Sequence, residues 1–156
     1  MENLATKADF LKQKFTALLH ALPEDALRKW GKMDVRQMIE HMSDYMRIAS
    51  GKTTTASVTP EDKILKAQGF LMSEKPFPEN TPYSLMPDTP PPYRLASKAE
   101  AIVELQTEID DFLSVYENEP EKLLPNPFFG NLNFEQQVQL LHKHGTHHLR
   151  QFGIEL

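Results

Sequence analysis

The sequence predicts an all-α protein, a four-helix bundle with a long crossover between its second and third helices. Four segments carry apolar residues at spacings of three and four, which is the period of an amphipathic helix. No segment shows the apolar–polar alternation of a half-buried strand convincingly enough to predict a sheet. More than forty residues separate the second and third segments, far more than two antiparallel neighbours need.

The first two helices follow from their apolar stripes and end signals. The first is predicted over residues 6–22 and ends before Pro23. Its stripe consists of Leu4, Ala8, Leu11, Phe15, Leu18 and Leu22. The second begins at Asp34, a favoured N-cap residue, and continues to about Ser50, with Gly51 as a stop signal. Its apolar face consists of Val35, Met38, Met42, Tyr45, Met46 and Ala49.

Residues 52–96 connect the second helix to the third and are predicted to be mostly irregular. A short helix is possible over residues 60–72, where a few apolar side chains could pack. Residues 75–93 hold seven of the twelve prolines, so this stretch lacks the backbone donors for a helix or a central strand. We expect an extended loop that packs on the domain through its aromatic residues. A connection of this length would allow helices 2 and 3 to run parallel.

The last two helices have the clearest boundaries. Ser97 and Glu100 form a predicted capping box at the start of the third helix, and Pro120 lies beyond its end. Its apolar residues are Ile102, Leu105, Ile109, Phe112, Leu113 and Tyr116. A turn-rich apolar connector over residues 121–132 follows, for which no strand is predicted. The fourth helix has Asn133 as its N-cap, runs to Phe152 and ends at Gly153.

The length, net charge and composition of the chain restrict the class of protein. A chain of 156 residues predicts a single domain over residues 1–156. A net charge of −5 without a basic stripe argues against nucleic-acid binding. The sequence has neither an apolar run long enough for a transmembrane helix nor the pattern of a secretory signal, so we expect no membrane partner. Because it has no cysteine, it can form neither disulfides nor thiolate metal ligands. A cytoplasmic location is the simplest expectation.

Histidines are concentrated in the fourth helix, where residues 141–152 hold four of the six. His144 and His148 stand four residues apart, which stacks their rings on one side of the helix. Both lie at the edge of its apolar sector, and His41 lies at the edge of the apolar face of helix 2. Helix bundles place inward-pointing metal ligands at such positions, so the three histidines predict a metal site. The alternative is that each is a hydrogen-bonded core histidine or a surface residue.

The composition of this predicted site indicates which metals it suits. Three neutral imidazoles favour Zn²⁺, Ni²⁺ or Fe²⁺ and leave one or more coordination positions open to water or substrate. A closed structural site would more often have four protein ligands, and the chain has no cysteine to complete one. An open site indicates chemistry, either polarisation of a substrate or activation of a bound water or thiol.

Three further residues are candidates to support the ligands. Asp44, one turn from the histidine of helix 2, could accept a hydrogen bond from that ring, although a solvated helix face explains it equally well. Tyr45 could donate to a metal-bound ligand, or it could simply pack. His147 could support a ligand, move a proton or bind the metal itself. The remaining two histidines, His20 and His142, are predicted to be surface residues.

Two segments resemble the DinB-like superfamily of small metal-binding four-helix bundles. Residues 38–42 read Met-Ile-Glu-His-Met, and residues 144–151 read His-Gly-Thr-His-His-Leu-Arg-Gln. Residues 126–130, Asn-Pro-Phe-Phe-Gly, and the segment 147–153 are similar to a branch of that superfamily described as a domain of unknown function. The resemblance implies that His41, His144 and His148 are the metal ligands. Many relatives read His-Arg-Gly-Gln after the pair, whereas this chain reads His-Leu-Arg-Gln from residue 148.

The resemblance also implies candidate activities and partners. Several DinB-like proteins are thiol-dependent transferases that use bacillithiol, mycothiol or glutathione, while others are isomerases, and many are dimers. The leading hypothesis is therefore a metal-dependent enzyme that transfers a small-molecule electrophile onto a low-molecular-weight thiol, with the cation stabilising the thiolate. A metal-dependent hydrolase, in which His147 or Asp44 moves the proton of a bound water, is the first alternative. A non-catalytic helical module that could form a homodimer is the second. Haem is disfavoured because the sequence has no attachment motif.

Overall fold

The computed structural model describes residues 3–79, 81 and 83–156, which are mostly helical with one small two-stranded sheet. The elements in chain order are α1 (Leu4–Asp9), a π-helical segment (Phe10–Lys14), α2 (Phe15–Ala21), α3 (Val35–Ala49), a 3-10 turn (Glu61–Lys63), α4 (Ile64–Met72), α5 (Lys98–Asn118), β1 (Leu124–Asn126), β2 (Gly130–Leu132) and α6 (Phe134–Gln151). In this part of the chain, no helix has the length and apolar character that a membrane span requires.

The predicted first helix is present, although it is not uniformly α-helical. It begins at Leu4, slightly earlier than predicted, because the Asn3 side chain accepts a hydrogen bond of 2.8 Å from the Thr6 amide. α1, the π-helical segment and α2 follow one another without an intervening loop, and together they form the N-terminal helix. Leu22 is extended at its end, as expected of a residue that precedes proline. The N-terminal helix packs against α5 and α6.

α3 and α5 form the largest helix–helix contact and run in the same direction. Arg94, just before α5, pairs with Glu40 in the first half of α3 at 3.6 Å. Lys52, just after α3, pairs with Glu108 in the middle of α5 at 2.7 Å. Because later residues of one helix meet later residues of the other, the helices are parallel. The chain between them must therefore cross the length of the domain, as the length of that connection predicted.

The connector before α6 forms a hairpin, and the expectation that it contains no strand was wrong. β1 and β2 pair antiparallel, with Leu124 opposite Leu132 and Asn126 opposite Gly130. The Asn126 side chain accepts hydrogen bonds from the Phe128 and Phe129 amides, which closes the turn. β1 was missed because Pro125 within it and Pro127 directly after it cannot donate to a β-ladder, so the sequence predicts a loop.

The proline-rich loop packs on the domain, as predicted, and it does so through a second apolar cluster beside the main core. The cluster contains Ala67, Leu71, Phe77, Phe128, Phe129, Leu132 and Leu140, with Phe70 and Tyr83 packed against it. Phe77 of the loop is 7% exposed, and the ring of Tyr83 lies 4.8 Å from that of Phe129. α4 forms within the predicted range 60–72 and supplies one wall of the cluster. The cluster holds the loop beside α6, next to the histidines.

The contact between the N-terminal helix and α6 generates a prediction about stability. Phe15 is fully buried, and its ring lies 3.2 Å from the point that a Cβ on Gly145 would occupy. Phe15→Ala should lower the free energy of unfolding by about 3–5 kcal/mol, because the backbone of α6 cannot collapse into the space that is left. Urea unfolding measures this loss. Leu27→Ala, at a position that is 88% exposed, is the control and should change stability by less than about 0.5 kcal/mol. A small effect of Phe15→Ala would contradict the packing described here.

Candidate metal centre

Three histidine rings from two helices meet at one point, as the sequence predicted. The Nε2 atom of His144 on α6 lies 3.0 Å from Nε2 of His41 on α3 and 2.9 Å from Nε2 of His148. One ring nitrogen from each of the three residues lies within 4.8 Å of the other two. The described residues therefore contain a group of three nitrogen donors that could hold one metal ion.

The local sequence explains why these rings converge. On α3, Met38 and Met42 are fully buried, and this register places His41 at the edge of the core. α6 begins with a capping box in which Asn133 and Gln136 each accept a hydrogen bond from the other residue's backbone amide. The helical register then stacks the two histidines of α6, which are four residues apart, towards α3.

A hydrogen-bond relay fixes the orientation and tautomer of His148. Its Nδ1 lies 2.8 Å from Oε1 of Gln151, and an amide oxygen can only accept, so Nδ1 carries the proton. The amide group of Gln151 is itself oriented, because its Nε2 donates to the backbone oxygen of Trp30 at 3.0 Å. A Cβ on Gly31 would lie 2.6 Å from that same Nε2, and the φ angle of Gly31 is +80°, so a glycine is required beside the relay. The Nε2 lone pair of His148 consequently faces the other two rings.

The three ring nitrogens are better arranged to coordinate a cation than to hydrogen-bond with one another. With Nε2 of His148 unprotonated, a proton on Nε2 of His144 can be donated to His148 or to His41, but not to both. Every placement of protons on His41 and His144 therefore leaves at least one of the two short contacts without its own hydrogen bond. The nitrogen–nitrogen separations of 3.0 and 2.9 Å are close to the roughly 3.3 Å expected of two imidazoles on one tetrahedral zinc ion. Small ring movements would therefore admit the ion.

Comparison with known proteins agrees with this geometry. A family model described as the DinB superfamily matches residues 8–152, which include all three histidines. The chain belongs to the DinB superfamily. Neither the curated proteins nor the solved structures include one that matches the chain.

The electrostatic environment keeps the rings of this DinB-superfamily protein neutral. Burial, followed by the neighbouring His147, lowers the pKa of His41 to about 4. Burial and the adjacent histidines also hold the pKa values of His144 and His148 well below the ordinary value. Neutral imidazoles are the form that binds a metal, so the site needs no proton loss near neutral pH before binding.

The three candidate supporting residues have different positions. The ring of Tyr45 lies 4.8 Å from that of His41 and 4.6 Å from that of His144, so Tyr45 belongs to the site. Its hydroxyl accepts a long hydrogen bond of 3.4 Å from the Leu85 amide, and burial raises its pKa, so it remains protonated and can donate. Asp44 instead pairs with two arginines, Arg47 at 3.3 Å and Arg94 at 3.2 Å, and is more than half exposed.

His147 is buried next to the three converging rings. Its ring lies 5.1 Å from that of His148 and 5.4 Å from that of Trp30. Burial, followed by the charge of Arg150, lowers its pKa. Among the described residues, its Nδ1 has no hydrogen-bond partner although the atom is inaccessible to solvent.

Gln151 contacts the site, although the sequence predicted no role for it. From the sequence, a carboxylate, that of Asp44, was considered as the partner of a histidine's second ring nitrogen. In the structure, the partner of the His148 Nδ1 is instead the side-chain amide of Gln151, on the same helix. The contact could have been predicted from the spacing, because Gln151 follows His148 by three residues, and residues three apart on a helix are neighbours. Its second partner, the Trp30 backbone, lies in a connector far away in sequence and gave no signal.

The histidines open into a cavity of about 420 Å³, a volume typical of sites for small molecules. The proline-rich loop forms much of its wall through Phe77, Tyr83 and Met86, and Phe128 and Phe129 of the hairpin complete the apolar side. Lys32, Glu79 and Asp88 are its charged lining residues. The long crossover therefore covers the face of the histidines on which a ligand would bind.

The relay through Gln151 can be tested without any metal. Gln151→Leu removes the acceptor of the His148 Nδ1 proton, so the proportion of the Nδ1-protonated tautomer should fall in metal-free protein. Stability should decrease by about 1–3 kcal/mol, because a buried donor loses its partner. Nitrogen-15 NMR of labelled histidine reports the tautomer. Gln151→Glu retains an acceptor oxygen and should keep the wild-type tautomer. An unchanged His148 tautomer in Gln151→Leu would show that the relay does not set it.

Proposed function

We propose that His41, His144 and His148 bind one divalent cation through their Nε2 atoms. The observation that carries this proposal is the convergence of three neutral ring nitrogens, with the lone pair of His148 turned inward by Gln151. Imidazole donors suit Zn²⁺, Ni²⁺ and Fe²⁺, and three protein ligands leave open positions that face the cavity. When bound, such a cation acts as a Lewis acid that lowers the pKa of a coordinated thiol or water.

We infer that the protein is an enzyme and that its reaction is transfer of a small electrophile onto a low-molecular-weight thiol. The cavity supports this because one side of it is lined by aromatic residues, and such a wall would limit the access of water to a reactive thiolate and bind an apolar electrophile. Tyr45 stands beside two of the ligands and remains protonated, so its hydroxyl can donate a hydrogen bond to a leaving group. In this assignment the histidines hold the cation, Tyr45 donates, and the proline-rich loop shields the reacting groups.

A metal-dependent hydrolase is the second candidate, and His147 favours it. His147 lines the cavity and burial keeps its ring neutral, so the imidazole could accept a proton from an attacking water. Asp44 fits that role less well, because its carboxylate is already paired with two arginines. A non-catalytic module is less supported, since Phe77 and Tyr83 of the proline-rich loop pack inward, and the exposed Leu85 and Tyr93 are the apolar residues left for a partner to contact.

We also infer the finer architecture. The N-terminal helix, α3, α5 and α6 would be the four helices of one bundle, with α4 and the hairpin as additions within the connections. A single domain, a cytoplasmic location and a homodimer remain proposals that size-exclusion chromatography with light scattering and localisation experiments can address.

Metal content provides the first test. The wild-type protein should retain about one equivalent of divalent metal per chain after desalting, whereas His144→Ala should lose it, because two nitrogen donors do not hold a metal that three do. Elemental analysis of both proteins measures this. His20→Ala, which removes an exposed histidine, is the matched control and should retain the metal. Equal metal content in the wild type and in His144→Ala would rule out the proposed site.

Activity assays provide the second test. Thiol-plus-electrophile pairs should be turned over faster than esters or amides, because the proposed reaction uses a thiol nucleophile. Tyr45→Phe should lower kcat by about 10²-fold or more with unchanged metal content, since it removes only the hydroxyl that donates. Hydrolysis of esters or amides without any thiol reaction would favour the hydrolase. A Tyr45→Phe variant with normal kcat would remove Tyr45 from the mechanism.

A further inference from the structure

A second cavity lies on the other side of α6 from His144 and His148, and His142 is among the residues that line it. Its volume is about 690 Å³, larger than that of the histidine cavity, and it lies between the N-terminal helix, α6 and residues 73–76. Lys143, Thr146 and Arg150 line it from α6, whereas His144 and His148 line the other cavity. No residue lines both cavities, so the second one is not an extension of the first.

The lining of this second cavity is strongly basic, although the chain as a whole has a net charge of −5. Its five lysine and arginine residues are Lys7, Lys14, Lys75, Lys143 and Arg150. The only acidic side chain in the lining is that of Glu74. A concave surface with this excess of cations focuses a positive potential and favours an anionic ligand.

Two of these cations are buried and already have structural partners. The Lys7 ammonium lies 3.2 Å from Glu74 and donates to Gln139 at 2.6 Å. The Lys143 ammonium donates to three backbone oxygens at the end of α4 and in the following loop, those of Phe70, Ser73 and Lys75. These contacts hold both ammonium groups in place at the base of the cavity.

The charge of Lys143 is nevertheless poorly compensated. Its hydrogen-bond partners are carbonyl groups and carry no formal charge. A negative charge on a ligand in the cavity would compensate the charge of Lys143.

The other three cations are available to a ligand. Lys14 and Lys75 are exposed, and Arg150 is half-buried. Within the described residues, none of the three takes part in an ion pair between side chains. They come from three separate elements, the π-helical segment, the proline-rich loop and α6. A ligand in the cavity could therefore meet positive charge from three directions.

The rest of the lining is mixed, with polar side chains such as those of Gln13, Gln139 and His142 beside an apolar wall. Phe10, Ala17 and Leu18 contribute this wall from the N-terminal helix, and Pro76 contributes to it from the loop. A free inorganic anion would leave this wall solvated, whereas an anion with an apolar body would cover it and gain the corresponding burial energy. We propose that the second cavity binds a small organic anion whose charged group meets the basic residues and whose apolar body lies on this wall.

The experiment uses the purified full-length protein and octanoate as the probe, with binding measured by isothermal titration calorimetry. Acetate supplies the charge without the apolar chain, and octan-1-ol supplies the chain without the charge. Octanoate should bind saturably with one site, and each of the other two should bind at least tenfold more weakly. Inorganic phosphate should also bind weakly, because it too has no apolar body.

Three variants locate the binding site. Ala17→Trp fills the cavity from an exposed position and should abolish octanoate binding without unfolding the protein, which its melting temperature checks. Lys14→Gln with Arg150→Gln should weaken octanoate binding about fivefold, the effect expected of two partly exposed charges. Lys63→Gln with Lys66→Gln is the control. It removes the same charge from exposed positions of the 3-10 turn and α4 and should leave binding unchanged.

Several outcomes would overturn the proposal. Octan-1-ol binding as tightly as octanoate would show an apolar site that does not recognise charge. Octanoate binding that survives Ala17→Trp would place the ligand elsewhere, for example in the histidine cavity. No saturable binding at millimolar octanoate would exclude this class of ligand. None of these results depends on metal binding by the histidines, so the proposal can fail while the proposed function stands.

Discussion

The candidate site depends on holding three imidazole nitrogens close together at a position that is largely shielded from water. Such an arrangement is unfavourable if the rings are charged, and burial ensures that they are neutral. It is also unfavourable if every nitrogen presents a proton, and Gln151 prevents this for His148 by accepting the proton of its other nitrogen. The result is a group of three neutral ring nitrogens, of which at least that of His148 presents its lone pair to the others, and this is a suitable environment for a cation.

The parallel arrangement of α3 and α5 has a consequence for this site. Two parallel neighbours require a connection that returns along the bundle, and here that connection passes over the ends of the histidine side chains. The prolines and aromatic residues of the loop allow it to pack without regular secondary structure, because proline needs no backbone partner and the rings bury apolar surface. One topological requirement thus provides both the crossover and the wall of the cavity. The same loop, through Lys75, also contributes to the basic cavity on the far side of α6.

The parts of the fold that follow a helical period could be predicted from the sequence. The apolar stripes and capping residues located α3, α5 and α6 to within a few residues, and the spacing of His144 and His148 placed two candidate ligands together. The π-helical segment was not predicted, because the buried residues around it, Leu11, Phe15 and Leu19, are spaced by four, which an ordinary α-helix also fits. β1 was missed because Pro125 and Pro127 concealed a strand of three residues. The role of Gln151 could not be predicted in full, because one of its two partners is a distant backbone oxygen.

The central claim is that His41, His144 and His148 share one cation, and a crystal structure of the protein grown with zinc tests it most directly. Data collected on either side of the zinc absorption edge would locate the ion by its anomalous difference density. The account predicts one strong peak at about 2.0–2.1 Å from Nε2 of each of the three rings. A peak held by other residues, or no peak between these rings at saturating zinc, would contradict it.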